Sequence, residues 1–408
     1  MSTLLWPGRQ TGRSTPIHLD NITLLLVFSI VLLGLVMVAS ASMSIAARNG
    51  GDPFSYVRAQ FLLVLVGSMV AAGVFAIRTE WLEKFSIPLL VLAGLMLLLV
   101  LIPGIGHSVN GARRWIRIAG ISIQVSEVAR IIVLMFVASY AVRRETELQT
   151  SFAGLLKPLL IVMIFFALLL AEPDFGAASV LAVTAFALLF IAGARWRDVL
   201  GLAAVGAAFI AFVAVSSDYR LRRLTSFRNP WEDPLDSGFQ LTQSLIAIGR
   251  GGWTGVGLGE SVQKLFYLPE AHTDFLFAVL AEELGLIGIV VTLVLFLLLS
   301  ARAMFIAKLA HDAGLKFAAY LAAGFGIWLA LQSFINIGVN MGALPTKGLT
   351  LPFMSYGRSS MIATLAWVGI VLRVYHEAVQ ATRGSAAVGL RESARAAKPR
   401  IGAEALET

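Results

Sequence analysis

The sequence contains no cysteine, and it has few charged residues for its length. Only 14% of its 408 residues are Asp, Glu, Lys or Arg, whereas 58% are hydrophobic. The lack of cysteine excludes a disulfide framework and a thiolate metal site. The scarcity of charge, with a mean hydropathy of +0.83, excludes an ordinary soluble domain and indicates a membrane protein.

Long apolar runs make up most of the chain. A spanning helix needs roughly 20 mainly apolar residues, and the sequence predicts ten such helices. They lie at about 22–43, 56–77, 85–103, 125–142, 155–171, 176–193, 198–215, 275–299, 317–342 and 352–372. Barrel strands alternate over about ten residues, so these continuous runs predict an all-α polytopic membrane protein. The first run exceeds the apolar core of a signal peptide, about 7–15 residues, and we expect an uncleaved helix.

The distribution of charge divides the chain into three regions. Residues 1–21 form a cytoplasmic segment, 22–376 the ten-helix membrane domain, and 377–408 a cytoplasmic tail that we expect to be disordered because it is rich in small and charged residues. A large structured extracytoplasmic loop, 216–273, separates helices 7 and 8. Lys and Arg concentrate in loops on the side of both termini, which assigns that side to the cytoplasm.

The net charge of +8 does not require a nucleic-acid partner. Basic loops and a basic tail that face anionic lipid head groups account for the excess. The glycine-rich stretch Gly255-x-Gly257-x-Gly259 does not follow a predicted strand, so a dinucleotide site is not indicated. It is either a turn near bound substrate or a structural turn.

Polar segments gather on the predicted outer side. They mix charged and hydroxyl side chains with proline and glycine, and they read "HSVNGARRWIRIAG" (107–120), "AEPDFG" (171–176), "KLFYLPEAHTDF" (264–275) and "GALPTKGLTLPFMSYGRSS" (342–360). Non-helical backbone at membrane depth is tolerated where protein or an aqueous cavity covers it. We therefore expect a polar cavity that opens outward.

Several ionisable residues fall inside the predicted helices. Glu127 and Arg130 are spaced to pair on one helix face, and Glu282 and Glu283 lie about two turns beyond the end of "HTDF". Acids inside a membrane are costly and often functional. Structural pairing, for example with Arg130 or Lys347, is the alternative interpretation.

Asp274 stands directly before the eighth predicted helix. A carboxylate at this position is either a helix cap or a functional group that lies at the membrane surface. Thr273 could provide the cap equally well, which favours a functional role for Asp274.

These motifs resemble the SEDS family (shape, elongation, division and sporulation), polytopic peptidoglycan glycosyltransferases. The resemblance covers nearly all of the membrane region. It rests on "NGARRWI", "SEVAR", "EPDFG", "FQLTQSLIAIGRGGWTGVGLGESVQKLFYLPEAHTDFLFAVLAEELG" and "LPTKGLTLPFMSYG". The wording of "KLFYLPEAHTDF" and "GLTLPFMSYG" is more similar to the division branch than to the elongation branch.

The resemblance implies that lipid II, the undecaprenyl-pyrophosphate-linked disaccharide pentapeptide, is polymerised on the outer face of the cytoplasmic membrane at the division septum. The acceptor 4-hydroxyl must lose a proton as it attacks the anomeric carbon of the donor, so the reaction needs a general base. Asp274 matches the essential aspartate of the family's HTDF motif. Inversion at the anomeric carbon is consistent with direct displacement and no covalent intermediate.

The resemblance also implies further site residues, a cofactor and partners. The lipid pyrophosphate carries negative charge as it leaves, and cationic groups of the site balance that charge. A divalent cation, Mg or Mn, is expected, and its ligands are unknown. The expected substrate-binding residues are Arg113, Arg114, Arg223, Arg250, Lys347, His272, Thr273, Glu270, Ser355 and Ser359, and the expected supporting residues are Glu127, Arg130, Glu172, Asp174, Glu282 and Glu283. The expected partners are a class B penicillin-binding protein (the septal transpeptidase FtsI) and other divisome membrane proteins.

Three positions depart from the family pattern. Arg358 stands in "SYGRSS" where the family usually has glycine, Val125 where proline is frequent, and Arg130 where lysine is common. Glycine often marks close backbone packing or a special dihedral. We expect Arg358 either to clash with neighbouring backbone or to add a cation near the pyrophosphate.

Two other functions fit parts of the pattern. A lipid II flippase would also have many helices and intramembrane acids, but its polar groups would serve both membrane faces, and we find no inverted repeat. A non-catalytic scaffold would recruit a transpeptidase through its helices. Asp274 discriminates between these functions and the polymerase, because only the polymerase requires its carboxylate for strand formation.

Overall fold

The computed structural model describes residues 16–48, 50–109, 112–118, 121–215, 227, 229–234, 238–346 and 348–396. These residues form thirteen α-helices, a 3₁₀ turn at Pro230–Glu232 and one small antiparallel sheet. The helices are α1 Asn21–Arg48, α2 Ser55–Ala76, α3 Thr79–Lys84, α4 Ser86–Leu101, α5 Val125–Arg143, α6 Glu145–Thr150, α7 Phe152–Ala171, α8 Phe175–Ile191, α9 Trp196–Val215, α10 Phe239–Gly251, α11 Leu276–Asp312, α12 Lys316–Asn340 and α13 Arg358–Ala396.

Each of the ten predicted spans coincides with one of the longer helices. Within the described residues, seven helices are long and apolar enough to cross a membrane, namely α1, α2, α5, α7, α11, α12 and α13. Helices α4 and α8 are apolar but shorter, and α9 lies at the position of the seventh predicted span. The chain is therefore a multi-pass helical membrane protein, as predicted.

Helix α12 lies in the interior of the bundle, where it packs against α5, α8, α11 and α13. The indole rings of Trp328 on α12 and Trp367 on α13 stack with their centroids 5.1 Å apart, and Phe325 meets Trp367 edge-on at 5.5 Å. These large rings are buried, so they hold α12 and α13 together by apolar contact.

A three-stranded sheet joins α4 to α5, which the sequence did not predict. Its strands, β1 Gly106–Val109, β2 Ala112–Ile118 and β3 Ile121–Gln124, pair antiparallel in the order β1-β2-β3. Successive side chains of a strand point to opposite faces. The side chains of the neighbours Arg113 and Arg114 on β2 therefore point to opposite faces of the sheet.

Helix α11 is interrupted at Gly285, whose φ of 63° lies in the left-handed region. A Cβ atom there would come within 2.3 Å of the Gly255 nitrogen, so only glycine fits. The break leaves the carbonyls of Glu282 and Glu283 to accept hydrogen bonds from Val256 N at 3.0 Å and Gly257 N at 3.1 Å. The glycine-rich stretch is thus a structural turn against α11.

Two predictions about the segments outside the spans have different outcomes. The expected disorder after residue 377 is wrong as far as Ala396, because α13 continues to that residue. The segment is rich in alanine and arginine, which favour a helix that the preceding span has already nucleated. The large loop, which the sequence predicts to be structured, contains the helix α10 in its described part.

Candidate active site

The "PEAHTDF" segment folds into a tight turn ahead of α11. Glu270 has a φ of 55°, and its carbonyl accepts hydrogen bonds from Thr273 N at 3.1 Å and Phe275 N at 3.2 Å. The Thr273 hydroxyl donates to the Glu270 carboxylate at 2.7 Å. This turn places Asp274 just before the first helical residue, Leu276.

Asp274 does not cap the helix that follows it. The N-cap residue is Phe275, which has no capping side chain, and Asn340 Oδ1 on α12 accepts a hydrogen bond from Ala278 N at 3.2 Å instead. Among the residues that the structure describes, no side chain donates a hydrogen bond to the Asp274 carboxylate. The geometry therefore favours the functional interpretation of Asp274 over the capping one.

The surroundings of Asp274 change its acidity. Burial and, to a smaller extent, the negative charge of Glu270 raise the pKa of Asp274 to about 7. Arg114 lowers this pKa and Asp174 raises it to a smaller extent. Gly348 lies so close that a Cβ atom on it would be 3.2 Å from Asp274 Oδ2. A carboxyl group with a pKa near neutrality is suited to accept a proton during a reaction.

Arg114 ties the sheet to the "AEPDFG" segment. Its Nε donates to the Glu172 carbonyl at 3.0 Å, its Nη2 donates to the Pro173 carbonyl at 2.5 Å, and its Nη1 lies 3.7 Å from Asp174 Oδ1. Asp174 in turn caps α8, because its Oδ1 accepts from Ala177 N at 3.2 Å. These contacts hold a guanidinium group close enough to Asp274 to lower its pKa.

Glu172 differs from its neighbours because neither of its buried carboxylate oxygens has a hydrogen-bond partner within the described part of the chain. Burial, together with the negative charge of Asp174 and against the opposing effect of Arg114, raises the pKa of Glu172 to about 8. Glu172 is therefore mainly protonated at neutral pH.

Arg113 points away from this cluster. Its Nη1 donates to the Leu101 carbonyl at the end of α4, at 3.1 Å. Of the two adjacent arginines that the sequence singled out, the structure thus brings Arg114, and not Arg113, to Asp274.

Three aromatic rings lie beside the turn. The ring of His272 is 5.1 Å from that of Tyr56 and 5.8 Å from that of Tyr356, and the Tyr356 nitrogen donates to the His272 carbonyl at 3.0 Å. Burial lowers the pKa of His272, so the imidazole is neutral at pH 7. The "SYG" segment is thereby fixed against "HTDF".

Arg358 is the first residue of α13, and its side chain is exposed. Its Nε lies 3.5 Å from the Tyr356 hydroxyl. The expected clash is wrong, because the side chain points outward from a helical position. The alternative expectation, an added cation near the pyrophosphate, stays a prediction.

The two predicted serines bond to the protein backbone. Ser355 Oγ accepts from Leu351 N at 2.9 Å within its own loop. Ser359 Oγ accepts from Gln124 N at 2.8 Å and donates to the Ser122 carbonyl at 3.2 Å. Ser359 thus docks β3 on the start of α13, and both hydroxyls support the loop around Asp274.

The acids further along α11 are paired. Glu282 accepts from Ser261 Oγ at 2.5 Å and from Arg250 Nη1 at 3.3 Å. Glu283 accepts from Lys264 Nζ at 2.8 Å and from Ser40 Oγ at 2.5 Å. The structural-pairing interpretation agrees with these contacts, although the partners come from α1, α10 and the loop before α11, and the example Arg130 is not among them.

Glu127 and Arg130 form the predicted pair, with 2.5 Å between Arg130 Nη2 and Glu127 Oε2. Arg130 also donates to Gln332 Oε1 at 2.9 Å, and its guanidinium lies 4.6 Å from the centre of a Trp328 ring. Both residues are buried, so the pair connects α5 to α12 inside the bundle.

Two predicted site residues, Arg223 and Lys347, lie outside the described residues. The sequence interpretation missed Asn336, Asn340 and Tyr56. Two asparagines one turn apart on an otherwise apolar helix were the available signal, because a buried amide requires partners.

The described residues contain no group of three or more His, Asp or Glu side chains that could hold a metal ion. Ions such as Mg²⁺ often bind through one or two carboxylates and the phosphates of a substrate. Among the described residues, the carboxylates near Asp274 fit only a metal site that the phosphates of a substrate complete.

Comparisons with known proteins agree with this geometry. The family described as "Cell cycle protein", FtsW/RodA/SpoVE, matches residues 20–380. A relative from Thioalkalivibrio sulfidiphilus, named "Probable peptidoglycan glycosyltransferase FtsW", is 52% identical over 374 residues, which are 91% of this chain and 93% of the relative. This similarity confirms the predicted closeness to the division branch.

Solved structures show the same fold. A chain described under "Structural coordination of polymerization and crosslinking by a peptidoglycan synthase complex" has a TM-score of 0.74 at 30% identity, over 89% of this chain and 99% of that one. The rod shape determining protein RodA of Thermus thermophilus has a TM-score of 0.63 at 30% identity, over 88% and 97% of the two chains. The chain therefore belongs to the FtsW/RodA/SpoVE family of cell cycle proteins, the SEDS family.

Proposed function

We propose that the chain is an inverting peptidoglycan glycosyltransferase that polymerises lipid II during septal wall synthesis, with Asp274 as the general base. The observation that carries the proposal is the Asp274 carboxyl group. It is partly buried, has a pKa raised to about 7, and is not used as a helix cap. The names of the curated relatives support the same reaction.

The reaction is a displacement at the anomeric carbon of the donor. The acceptor 4-hydroxyl oxygen forms a bond to that carbon while its proton moves to the Asp274 carboxylate. The bond from the same carbon to the pyrophosphate oxygen breaks, and the electron pair leaves with the lipid pyrophosphate. Attack from the face opposite to the leaving group inverts the configuration.

Arg114 is the described cation that we assign to the site. Two main-chain carbonyls hold its guanidinium in place, and its contact to the Asp174 carboxylate is longer, at 3.7 Å. A preorganised cation stabilises negative charge that develops on a leaving group. Arg113 and Arg250 are less suited, because the first points to α4 and the second pairs with Glu282.

A divalent cation, Mg or Mn, is part of the proposal. Glu270 is a suitable ligand, because its charge already acts on Asp274 and a cation would offset it. The substrate pyrophosphate would supply the other ligands. Bound there, the ion would stabilise the charge of the leaving pyrophosphate.

Partners and location follow from the same proposal. The structural relative in a peptidoglycan synthase complex supports a class B penicillin-binding protein as the transpeptidase partner. We place the protein in the bacterial cytoplasmic membrane at the division septum, with both termini in the cytoplasm. The basic residues of the cytoplasmic loops support this orientation.

The test is strand formation by purified protein with lipid II, Mn and the transpeptidase partner, followed on a gel. Asp274→Ala is expected to abolish strands, because general-base catalysis contributes roughly 10²–10⁴-fold in rate. Asp52→Ala is the matched control: Asp52 is an exposed acid ahead of α2, paired with Arg58 and absent from the site.

Translocation of lipid II into vesicle interiors is measured with the same proteins. If Asp274→Ala forms strands at the parent rate, the catalytic proposal is wrong. If parent protein forms none but moves lipid II across the bilayer, the flippase alternative takes its place.

A further inference from the structure

Three amide side chains lie on one face of α12, one helical turn apart. Gln332, Asn336 and Asn340 are all buried, with 1%, 2% and 0% of their surfaces exposed. We call these three residues the amide ladder. A buried amide costs free energy unless its donors and acceptor are all bonded, so their partners show what the ladder holds.

Two members of the ladder bond to the main chain of Asp274. Asn336 Nδ2 donates to the Asp274 carbonyl at 3.0 Å, and Asn340 Nδ2 donates to the same carbonyl at 3.1 Å. Asn340 Oδ1 accepts from Ala278 N at 3.2 Å. Since a backbone N–H can only donate and a carbonyl can only accept, these partners fix which way the Asn340 amide faces.

The ladder also bonds to the segment that covers Asp274. Asn336 Nδ2 donates to the Leu349 carbonyl at 2.5 Å, and Gln332 Nε2 donates to the Thr350 carbonyl at 3.0 Å. This segment begins with Gly348, the residue whose Cβ position is 3.2 Å from Asp274 Oδ2. One helix face therefore fixes both the turn that carries the carboxylate and the backbone that lies against it.

We propose that Asn336 and Asn340 are positioning residues for Asp274, a role that rests on the proposed function. They hold the Asp274 carbonyl from the side of α12, which leaves the carboxylate directed toward Gly348 and the outer side. They do not touch the substrate themselves. Their effect is on the rate of the chemical step, because a misplacement of about 1 Å can cost on the order of 10²-fold in rate.

A purely structural role makes a different prediction. If the ladder only stabilised the bundle, its loss would lower the amount of folded protein and leave the turnover of each folded molecule unchanged. A positioning role predicts that folded variants turn over slowly at saturating lipid II. The kcat and KM of folded, monodisperse protein therefore separate the two roles.

The variants are Asn336→Leu and Asn340→Leu, which keep the number of side-chain heavy atoms and remove the amide donors and acceptor. Ser333→Ala is the matched control on the same helix, because the Ser333 hydroxyl bonds to the Leu329 carbonyl of its own helix at 2.7 Å. We expect each leucine variant to lower kcat at least about tenfold, with KM for lipid II within about twofold. The control is expected to match the parent.

Asn340→Asp separates the acceptor bond of that side chain from its donor bonds, which go to the Asp274 carbonyl and to the Asn336 carbonyl of its own helix. It keeps an acceptor for Ala278 N, so the start of α11 stays capped. It removes the donor to the Asp274 carbonyl, so that hydrogen bond is lost. We expect kcat as low as in Asn340→Leu. Hydrogen exchange at Ala278 is expected to speed up in Asn340→Leu and to stay slow in Asn340→Asp.

The outcomes separate this inference from the proposed function. If both leucine variants keep kcat within about twofold of the parent while Asp274→Ala is inactive, the positioning role is overturned and the general base stands. An Asn340→Asp variant with parent kcat overturns the role of the Asn340 donor. If Asp274→Ala forms strands normally, the proposed function and the positioning role are both overturned.

Discussion

Two groups of acids, one in the turn before α11 and one within α11, differ in how their charges are met. Glu282 and Glu283 receive Arg250, Lys264 and hydroxyl donors. Asp274 lies about two turns earlier. The charged group that shifts its pKa most is another carboxylate, that of Glu270. An acid that is paired with cations and hydroxyl donors belongs to the fold, whereas a partly buried acid that lies beside other acids is suited to proton transfer.

The largest expected effect is that Glu283→Ala lowers stability but not turnover, whereas Asp274→Ala abolishes turnover but does not lower stability. Glu283→Ala leaves buried Lys264 without its carboxylate, and breaking a buried ion pair in this way costs roughly 3–5 kcal/mol. Asp274→Ala removes a carboxylate whose ionisation is penalised by folding, so its melting temperature should equal or exceed that of the parent. Thermal unfolding in detergent, followed by tryptophan fluorescence, measures both.

The rate of strand formation should rank the two variants in the opposite order to their melting temperatures. Asp274→Ala is expected to be inactive although well folded, while any Glu283→Ala protein that remains folded should retain turnover. A lower melting temperature for Asp274→Ala than for Glu283→Ala would contradict the distinction between the two groups.

The second effect concerns pH. Because burial and Glu270 raise the pKa of Asp274 to about 7, the rate of strand formation should rise with pH through that value as the base loses its proton. Glu270→Gln removes a negative charge and should move the midpoint to lower pH. The pH dependence of kcat/KM measures this midpoint, with Asp52→Asn as the control; an unmoved midpoint in Glu270→Gln would show that Glu270 does not act on the base.

The third effect concerns the stability of the site. The pKa of Glu172 is raised to about 8 in the folded protein, so its contribution to stability is present at low pH and is lost as the pH rises through that value. The glutamine of Glu172→Gln has nearly the same shape and does not ionise, so this variant should not show that loss of stability as the pH rises. Melting temperatures from about pH 6 to about pH 9 should therefore fall more steeply for the parent; parallel curves would contradict the assignment.

The smallest effect is expected for Arg358→Gly. The Arg358 side chain is exposed, and its hydrogen-bond contact among the described residues is a long one, to the Tyr356 hydroxyl. Exposed substitutions usually change stability by within about 0.5 kcal/mol. We expect melting temperature and kcat to match the parent, and a change in KM for lipid II alone would show that the added cation meets the pyrophosphate.

The sequence predicted the ten spans and Asp274 because both are local properties. A run of apolar residues is visible without knowledge of its neighbours, and "HTDF" stands at the start of such a run. The partners of Glu282 and Glu283 were not predictable in this way. They depend on the break at Gly285, which requires the close approach of Gly255 from a distant part of the chain.

The choice between Arg113 and Arg114 shows the same limit. Both lie in one polar motif, and only the strand pairing of β2 decides which of them faces Asp174. Asn340 was missed because its role requires α12 to lie beside the start of α11. Tertiary contacts of this kind leave little trace in a single sequence.

The break at Gly285 also has an electrostatic consequence. A helix that ends inside a protein concentrates the partial negative charge of its last carbonyls at that end. In α11 this end coincides with Glu282 and Glu283, so main-chain and side-chain negative charge accumulate together. Lys264 and the amides of Val256 and Gly257 meet that charge. The outer loop therefore acts as the counter-charge that allows a helix to end there.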